Sequence, residues 1–510
     1  MVRDLLQGDF MAKIDMKDAY FAVPIHNEHR KFLVFRLGTK LYQFQALPFG
    51  LSSAPYVYTR IMRVVATELR RCGIKLIVYL DDWLFMGKNQ SSLTQDVKTA
   101  ITLLGLTINY KKSILVPVQE IEFLDLIINS AKMEWKIPDG KTTVISQQAQ
   151  KLLQAKTVSL RNVAAFVGRV NSVAVASSLS ILYLRRLQAW LAEFHPACLA
   201  DYEVTGYLSR KCIEDLKWFV NNLKSHTTQP IVESNPSFTF TSDASNSGWG
   251  VTTNLGETSG RWNRNESTWH INEKELAACF FFFGLRCFAT DLRDCTPKVE
   301  IDNTTAVWYI NKKGGTRSAR LNLLTRMIWL LASERRLGLV ACYRPGAQNN
   351  EAETLSRHFS DSSDYSLSPV MTSSLFAKWG NPDVVLFASR WNRKCKKFFS
   401  LLPDPEASAV NAFAQEWSEI YGYAFPPLNM VGRVIRKAVR EKARLILVCP
   451  RWESQSWWPL LMRHGEEITE LQLTANQLVS PTGFPHPCLE RTPFHMIACI
   501  IWVSTGEAVV

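Results

Sequence analysis

The stretch IKLIVYLDDWLF, residues 74–85, places two adjacent carboxylates inside an otherwise apolar run. Its β-rich halves predict an antiparallel hairpin with Asp81 and Asp82 at the tip. A third acid, Asp15, lies at a predicted strand end within the upstream stretch KIDMKDAYF, residues 13–21. Converging carboxylates cannot all stay ionised without cations between them, so the pattern predicts a site for two divalent metals. The alternative for an isolated Asp-Asp pair is a solvated turn.

Length and composition restrict the class of protein. A chain of 510 residues predicts three or four domains, and a formal charge of +13 favours polyanionic partners. The eleven cysteines form no CxxC pair and no zinc spacing, which predicts reduced thiols in an intracellular protein, cytoplasmic or nuclear. The longest apolar runs, 276–285 and 496–503, are too short to span a bilayer, so no membrane association is expected.

Hydrophobic periodicity divides the chain into blocks. Residues 1–140 predict an α+β domain with an antiparallel sheet, and residues 141–225 predict helices with Ser159 as an N-cap. Residues 238–358 predict a second α/β block, in which strands and helices alternate. Residues 375–462 predict a third, with VVLFAS and ARLILVC as buried strands. We place linkers at 226–237 and 359–374 and assign no role to the tail at 463–510.

Five motifs follow one another in the first block: KIDMKDAYF, LPFGLSSAP, YLDDWL, LGLTINYKKS and IEFLDLIINS. In this order and spacing they resemble motifs A to E of retroelement reverse transcriptases. The resemblance implies a right-hand polymerase, with a palm at 1–140 and a helical thumb and connection at 141–225. It also implies an RNA template, a DNA primer, deoxynucleoside triphosphates and two Mg²⁺ ions per active site, with Mn²⁺ as an alternative. Element-encoded partner proteins are a further expectation.

The resemblance assigns roles to the acids and to one lysine. Asp15, Asp81 and Asp82 match the family's catalytic, metal-binding triad. Lys112, in NYKKS, matches a lysine that acts as a charge partner or proton donor for the pyrophosphate leaving group. An ordinary surface lysine is the alternative interpretation.

Nucleotide-binding positions are implied in the same way. Asp18 matches a position beside the incoming triphosphate, and Tyr20 matches a ring that packs on the sugar and excludes a ribose 2′-hydroxyl. In LPFGLSSAP, Phe49 shapes the nucleotide pocket, and Gly50 allows close approach of the backbone.

Two features depart from the family pattern. IEFLDLIINS has Asp125 where the family has a glycine in a primer-contacting turn. Only 14 residues precede Asp15, so we expect partial fingers. Four residues are candidates to replace the missing basic contacts to the triphosphate: His26, Arg30, Lys31 and Arg36.

The second α/β block contains another acidic set. Asp243 ends a predicted apolar strand within FTFTSDAS, Glu275 lies on a predicted helix, and Asp302 ends another predicted strand, VEID. Singly, each can be a cap or a surface acid. Together they resemble the acids of the ribonuclease H fold, which hold two Mg²⁺ ions and hydrolyse the RNA strand of an RNA–DNA hybrid. In NNEAETLSR, Glu353 replaces the family's fourth aspartate, with Glu351 as a competitor, and we expect weakened metal binding there.

Longer phrases narrow the resemblance further. HINEKEL, DNTTAVWYINKKGGTRS and RPGAQNNEAETLSR are similar to DIRS-like (tyrosine-recombinase) retrotransposons. The segment from NPDVVLFASRWN to ARLILVCPRW resembles the methyltransferase-like module of these elements, but AFPP, residues 424–427, replaces the catalytic DPPY-type tetrad, so we expect an inactive structural module. Three tryptophans are candidates for base stacking, with core packing favoured: Trp249, Trp262 and Trp269.

The expected activities are therefore RNA-directed DNA synthesis and hybrid-strand hydrolysis. One alternative is a decayed or co-opted copy that binds nucleic acid without polymerising. Another is a chain in which only the nuclease works. The basic run LYLRRLQAW, residues 182–190, is interpreted as a contact to a phosphate backbone or as a solvated helix face.

Overall fold

The computed structural model describes residues 4–105, 107–177, 179–194, 199–231, 236, 238–254, 256–279, 292–359, 365–404, 406–474, 476–480, 484–491 and 494–502. The chain divides into two compact units: Met1–Glu233 with Gly315–Arg317, and Ser234–Gly314 with Ser318–Val510. Within the described residues, every helix is too short or too polar to cross a membrane.

The first unit begins with an antiparallel sheet in the order β4-β5-β1-β6. The elements of this part are β1 (Phe10–Asp15), β2 (Val34–Leu37), β3 (Lys40–Gln43), α1 (Ala54–Arg71), β4 (Lys75–Tyr79), β5 (Asp82–Gly87), α2 (Gln90–Leu104) and β6 (Ile114–Val118). The expected hairpin over residues 74–85 is confirmed as β4 and β5, and β2 and β3 form a separate hairpin.

Helix α1 illustrates how the sequence produces this layer. Tyr58, Met62 and Ala66 recur every four residues and are at most 4% exposed, which gives the helix one apolar face. Pro55 lies in the first turn, where a missing N–H costs nothing. Gly73, with φ +84°, follows the helix end in a conformation that other residues rarely adopt.

The rest of the first unit is a second sheet and a group of helices. Its elements are β7 (Glu120–Phe123), β8 (Leu126–Asn129), β9 (Glu134–Lys136), α3 (Asp139–Gln154), β10 (Val158–Ser159), α4 (Leu160–Val173), α5 (Ser180–Glu193), β11 (Thr205–Gly206), α6 (Arg210–Asn221) and β12 (Thr228–Pro230). The expected cap is confirmed, since Ser159 Oγ accepts a hydrogen bond from the N–H of Asn162 at 3.3 Å. The basic run is partly internal, because Arg186 pairs with the buried Asp215 at 3.2 Å.

The linker expected at 226–237 is wrong for part of its length. Residues 228–230 are β12, which pairs with β9 and completes a sheet in the order β12-β9-β8-β7. The pairing joins residues about 95 positions apart, which no local pattern reveals. Residues 232–235 and 237 lie outside the described residues.

The second unit begins with a five-stranded sheet in the order β15-β14-β13-β16-β17. We call residues 238–359 the five-stranded block; it contains β13 (Phe238–Ala244), β14 (Gly248–Thr253), β15 (Gly256–Arg261), α7 (Ile271–Ala277), β16 (Pro297–Ile301), α8 (Thr304–Asn311), α9 (Ala319–Glu334), β17 (Val340–Tyr343) and α10 (Asn350–Arg357). Strands β13, β16 and β17 are parallel, whereas β14 and β15 continue the sheet antiparallel. The expected continuation of α7 falls at 280–289, outside the described residues.

The remainder of the second unit is a seven-stranded sheet in the order β21-β20-β19-β22-β23-β26-β24. We call residues 365–502 the C-terminal block; it contains β18 (Ser366–Leu367), α11 (Pro369–Trp379), β19 (Val384–Val385), β20 (Lys397–Ser400), β21 (Ala409–Val410), β22 (Tyr421–Ala424), α12 (Val431–Arg440), β23 (Arg444–Pro450), α13 (Trp458–His464), β24 (Gly465–Leu471), β25 (Leu478–Val479), α14 (Cys488–Arg491) and β26 (Met496–Ile501). Its first five strands are parallel, and β26 runs antiparallel to both of its neighbours.

Two boundaries expected from the sequence are wrong in this block. The linker at 359–374 contains β18 and the start of α11, although residues 360–364 lie outside the described residues. The tail at 463–510 supplies β24 and β26, and every residue of β26 is buried. The apolar run at 496–503 therefore includes an interior strand, which pairs with β23 some fifty residues upstream.

We expect Ile497→Ala to lower the free energy of unfolding by about 2–5 kcal/mol, because it truncates a side chain that is 2% exposed on a fully buried interior strand of the sheet. The matched control is Ile468→Ala in β24, where the side chain is 38% exposed and the cost should stay near 0.5 kcal/mol. Denaturant titration of both variants measures the difference. Equal losses would contradict the placement of β26 inside the sheet.

Candidate active sites

The first acidic set lies where β1 ends and β5 begins. Asp15 is the last residue of β1 and pairs in register with Asp82, the first residue of β5. Asp81 lies in the turn before β5 and directly follows Leu80, whose φ is +53°. The main chain fixes this corner, since Met16 N donates to Asp81 O at 2.9 Å. The expected meeting of a strand end with a hairpin tip is therefore found.

The electrostatics of this corner follow from burial and like charge. Burial raises the pKa of Asp81, the charges of Asp82 and Asp15 raise it further, and the Lys112 ammonium opposes the rise. Asp15 is 8% exposed, and its N–H donates to Ser113 Oγ at 3.0 Å. The expected proximity of Lys112 to this set is present. A cation at this corner would relieve the repulsion that raises the pKa.

Lys13 is a member of this site that sequence reasoning missed. Its Nζ lies 2.9 Å from Asp82 Oδ1, and both side chains are largely buried. Lys13 lies two residues before Asp15 on β1, so both side chains project from the same face of the sheet. The spacing K-x-D in KIDMKD is the sequence feature that could have indicated that Lys13 lies on the same face as Asp15. Lys13 neutralises one of the three carboxylates from within the protein.

The expected nucleotide-binding residues lie beside this corner. The Tyr20 ring is 5.1 Å from that of Phe49 and 5.5 Å from that of Tyr58, measured between centroids. Burial raises the pKa of Tyr20, with Asp81 and Tyr79 as further causes, so Tyr20 lies close to the acids. Phe49 is 60% exposed and available to a ligand.

The backbone at two further positions is in the left-handed region. Gly50 has φ +88°, which only glycine adopts without strain, and Asp18 has φ +51° at an exposed position. Of the candidate basic contacts, Arg30 and Arg36 each donate from Nε to a nearby main-chain carbonyl at 3.0 Å. Both guanidinium groups are thus held by local structure.

A cavity of about 630 Å³ adjoins the acids on the side of Asp82. Its lining combines the β4–β5 hairpin with the β7–β8 turn: Lys13, Tyr79, Asp82, Lys112, Ile114, Glu122, Leu124 and Asp125. Asp125 has φ +71°, so the turn has the backbone conformation that the family's glycine would favour. The departure is accommodated because Lys141 Nζ pairs with Asp125 Oδ1 at 2.5 Å.

The second acidic set is tighter than the first. One carboxylate oxygen from each of Asp243, Glu275 and Asp302 lies within 4.8 Å of the others, and no other three acidic, histidine or cysteine residues in the described part of the chain meet this condition. Asp15, Asp81 and Asp82 are therefore not drawn together to the same degree. Asp243 and Asp302 lie at the ends of the parallel neighbours β13 and β16, and Glu275 lies on α7.

Burial dominates the electrostatics of this cluster. It raises the pKa of Asp243 and Asp302, and it holds the pKa of Glu275 well above its ordinary value, with the charges of the other two acids adding to the effect. Asp243 and Glu275 are 6% and 4% exposed. Oxygen ligands around a buried, negatively charged point are the set that Mg²⁺ and Mn²⁺ prefer, so the residues fit such ions.

Glu353 lies near the cluster but outside it. Its charge raises the pKa of Asp243 and of Asp302, yet its Oε1 pairs with Arg357 of the same helix at 2.7 Å. Glu351, the competing residue, is exposed.

Two residues that sequence reasoning missed place helix α10 beside the cluster: Ser356 on the helix and Gly250 on β14. Ser356 Oγ donates to Asp243 Oδ2 at 2.6 Å and is fully buried. The helix lies directly on β14 at Gly250, where a Cβ would come within 2.4 Å of Ala352 O. Ser356 occurs in the quoted motif NNEAETLSR, but Gly250 and Ser356 are far apart in sequence and approach only in the folded chain. Gly250 therefore lets α10 bring Ser356 to the metal-ligand candidate.

The tryptophans of this block are mainly structural. Trp249 and Trp262 are 2% and 4% exposed, so they pack in the core, as favoured. Trp269 is partly buried, and the Arg320 guanidinium lies 5.0 Å above its ring. None of these three indoles is well placed to stack on a base.

Comparison with known proteins gives this arrangement a context. Residues 2–128 match the family model described as reverse transcriptase (RNA-dependent DNA polymerase). Protein P of duck hepatitis B virus (strain China) is 26% identical over 164 residues, which cover 31% of this chain and 21% of that protein. An enzymatic polyprotein of Cassava vein mosaic virus is 22% identical over 380 residues, or 71% of this chain and 55% of that protein.

Among solved structures, a foamy viral protease–reverse transcriptase in complex with an RNA/DNA hybrid matches 65% of this chain and 44% of that chain, with 16% identity and a TM-score of 0.39. The chain thus spans about a fifth to a half of the length of these relatives. Residues 2–128 are thus similar to reverse transcriptases (RNA-dependent DNA polymerases), and the chain is similar in sequence to those two viral proteins.

Proposed function

We propose that this chain is an RNA-directed DNA polymerase with ribonuclease H activity, and that it acts in reverse transcription of a retroelement RNA. The polymerase proposal is carried by the register of β1 and β5, which sets Asp15 opposite Asp82 with Asp81 in the adjoining turn. The nuclease proposal is carried by the cluster of Asp243, Glu275 and Asp302 within 4.8 Å. The proposed substrates are an RNA template, a DNA primer, deoxynucleoside triphosphates and the RNA–DNA hybrid.

In the polymerase site, Asp15, Asp81 and Asp82 would hold Mg²⁺, with Mn²⁺ as an alternative. Bound divalent ions favour deprotonation of a primer 3′-hydroxyl and neutralise charge on the phosphate. Lys112 adds a positive charge beside Asp81, where it can stabilise the charge that develops on a leaving pyrophosphate or donate a proton to it.

The nucleotide pocket would be formed by the aromatic group beside these acids. Tyr20 and Phe49 provide a wall on which the sugar can pack, and the bulk of the Tyr20 ring would exclude a 2′-hydroxyl. Gly50 keeps the backbone open to close approach by the nucleotide, and Asp18 lies at the exposed edge toward the triphosphate.

In the nuclease site, Asp243, Glu275 and Asp302 would hold the divalent ions that activate water and stabilise the leaving 3′-oxygen. Ser356 fixes the orientation of Asp243 by donating to one of its oxygens. Glu353 would be a weaker fourth ligand, because Arg357 competes for its carboxylate.

The element of origin is proposed to be DIRS-like, on the basis of the phrases quoted above. The C-terminal block is proposed to be methyltransferase-like in fold and inactive in methyl transfer, since AFPP begins at Ala424, the last residue of β22, and therefore lacks a polar first residue. Asp125 in place of the family's glycine, together with AFPP, is the basis for the alternative, a co-opted copy that binds nucleic acid without polymerising.

We expect Asp81→Asn to reduce primer extension on poly(rA)/oligo(dT) by at least about 100-fold, more than the 10–100-fold typical of losing a residue that only supports a metal ligand. The control is Asp4→Asn, at an exposed position in the same unit, which should extend normally. Absence of extension by the unaltered chain in both Mg²⁺ and Mn²⁺, with primer–template binding retained, would favour the co-opted copy.

Asp302→Asn is expected to abolish cleavage of a labelled RNA–DNA hybrid while primer extension continues, because the two acidic sets lie in different units. Asp294→Asn, at an exposed residue in the same block, serves as the control for hybrid cleavage. Retention of hybrid cleavage in Asp302→Asn would exclude this cluster as the nuclease site.

Glu275→Gln should stabilise the metal-free protein at neutral and alkaline pH. Because the folded-state pKa values of Glu275, Asp243 and Asp302 are raised, their contribution to stability is greatest when they are protonated and is lost as pH rises through those values. Thermal unfolding followed by circular dichroism at about pH 4 and about pH 8 tests this, with the variant melting higher only at the upper pH.

Added Mg²⁺ should reverse that order, because ions that bind only the folded chain stabilise the unaltered protein more than the variant. Parallel melting of the two proteins at both pH values, with and without Mg²⁺, would contradict a cation site at this cluster.

A further inference from the structure

The segment that follows β19 carries a buried charge. Arg390 is 6% exposed, and its Nη2 lies 2.9 Å from Glu266 Oε1 and 3.1 Å from Glu406 Oε1. Glu266 belongs to the five-stranded block and is itself 5% exposed. Arg393 reinforces the arrangement by pairing with Glu406 at 2.8 Å. A charge network thus joins the C-terminal block to the five-stranded block within one compact unit.

Glu266 lies shortly before α7, the helix that carries Glu275. Glu266 begins the short 3₁₀ turn Glu266–Thr268, and its second carboxylate oxygen accepts from Asn263 N at 2.9 Å. The chain then passes through Trp269 to His270, whose side chain caps α7. Glu275 lies on the following turn of that helix. Arg390 therefore contacts the turn that precedes α7, at a residue nine positions before the metal-ligand candidate Glu275.

A second contact ties the same segment to the sheet. Thr258 Oγ1, on β15, donates to Pro403 O at 2.7 Å and is 2% exposed. The backbone N–H of Arg390 donates to Asp404 Oδ2 at 3.1 Å. Because Asp404 directly follows Pro403, this hydrogen bond links the contact to Thr258 with the contact to Glu266. Residues 390–406 thus contact both the turn before α7 and the edge strand of the five-stranded sheet.

Because these groups are buried, each charge in the network depends on its partner being present. Two charges at about one-twentieth exposure lose most of their hydration, and removal of one partner leaves the other uncompensated.

In an open α/β sheet, ligands bind where the strand order reverses, at the carboxyl ends of the strands. That point in the C-terminal block lies between β19 and β22. The segment leaving β19 there is engaged with Glu266.

We propose that Arg390 is a positioning residue for the nuclease site, acting through Glu266 to fix the start of α7 and hence the Glu275 carboxylate. The C-terminal block then serves the nuclease as a structural support. This inference rests on the proposed nuclease function, and it concerns how this chain's own residues hold a metal-ligand candidate in place.

The test uses the full chain carrying Arg390→Met, with Arg440→Met as the matched control in an exposed ion pair of the same block. We expect the Mg²⁺ concentration for half-maximal hybrid cleavage to rise about tenfold in Arg390→Met, the lower end of the loss seen when support for a metal ligand is removed. Primer extension and the control variant should stay within about twofold of the unaltered chain. The double variant Arg390→Met/Glu266→Gln, which leaves no buried unpaired charge, should recover part of the loss.

Hydrogen exchange of the α7 amides provides a readout that needs no nuclease activity. We expect exchange at residues 272–277 to be about tenfold faster in Arg390→Met, with β1 and β5 unchanged. If the unaltered chain cleaves no hybrid, the proposed nuclease is wrong, and the α7 exchange still decides the positioning role. Unchanged α7 exchange, an unchanged Mg²⁺ requirement, or an equal loss of primer extension would each overturn the inference.

Discussion

Repulsion between carboxylates that the fold brings together is the constraint on which the rest of this structure depends. Asp243, Glu275 and Asp302 come from two parallel strands and a helix, and their oxygens lie within 4.8 Å of one another. Burial makes that repulsion stronger, because little water remains to screen it. Such a cluster persists only where the surrounding structure determines it, and the helix packing at Gly250 and the hydrogen bond from Ser356 provide that support.

The two acidic sets meet the same constraint differently. In the first unit, Lys13 neutralises Asp82 directly, and the three acids are less tightly gathered. In the second, burial raises the pKa values of all three acids, and the hydrogen bond from Ser356 and the charge of Arg357 only partly oppose the rise at Asp243.

The C-terminal block makes contacts beyond its own sheet. That sheet places the antiparallel strand β26 between β23 and β24. The segment after β19 contacts Glu266 and Thr258 of the five-stranded block.

The sequence by itself determined the local elements and the identity of the acids. The hairpin at 74–85, the Ser159 cap and the placement of Asp15, Asp243 and Asp302 at strand ends follow from periodicity and capping chemistry, which act between near neighbours. The pairing of β12 with β9, the burial of β26, the Lys13–Asp82 ion pair and the Ser356–Asp243 hydrogen bond were decided only by the tertiary structure. Each depends on side chains or strands that meet only after the chain has folded, and a one-dimensional pattern carries no information about which distant partner a buried group will find.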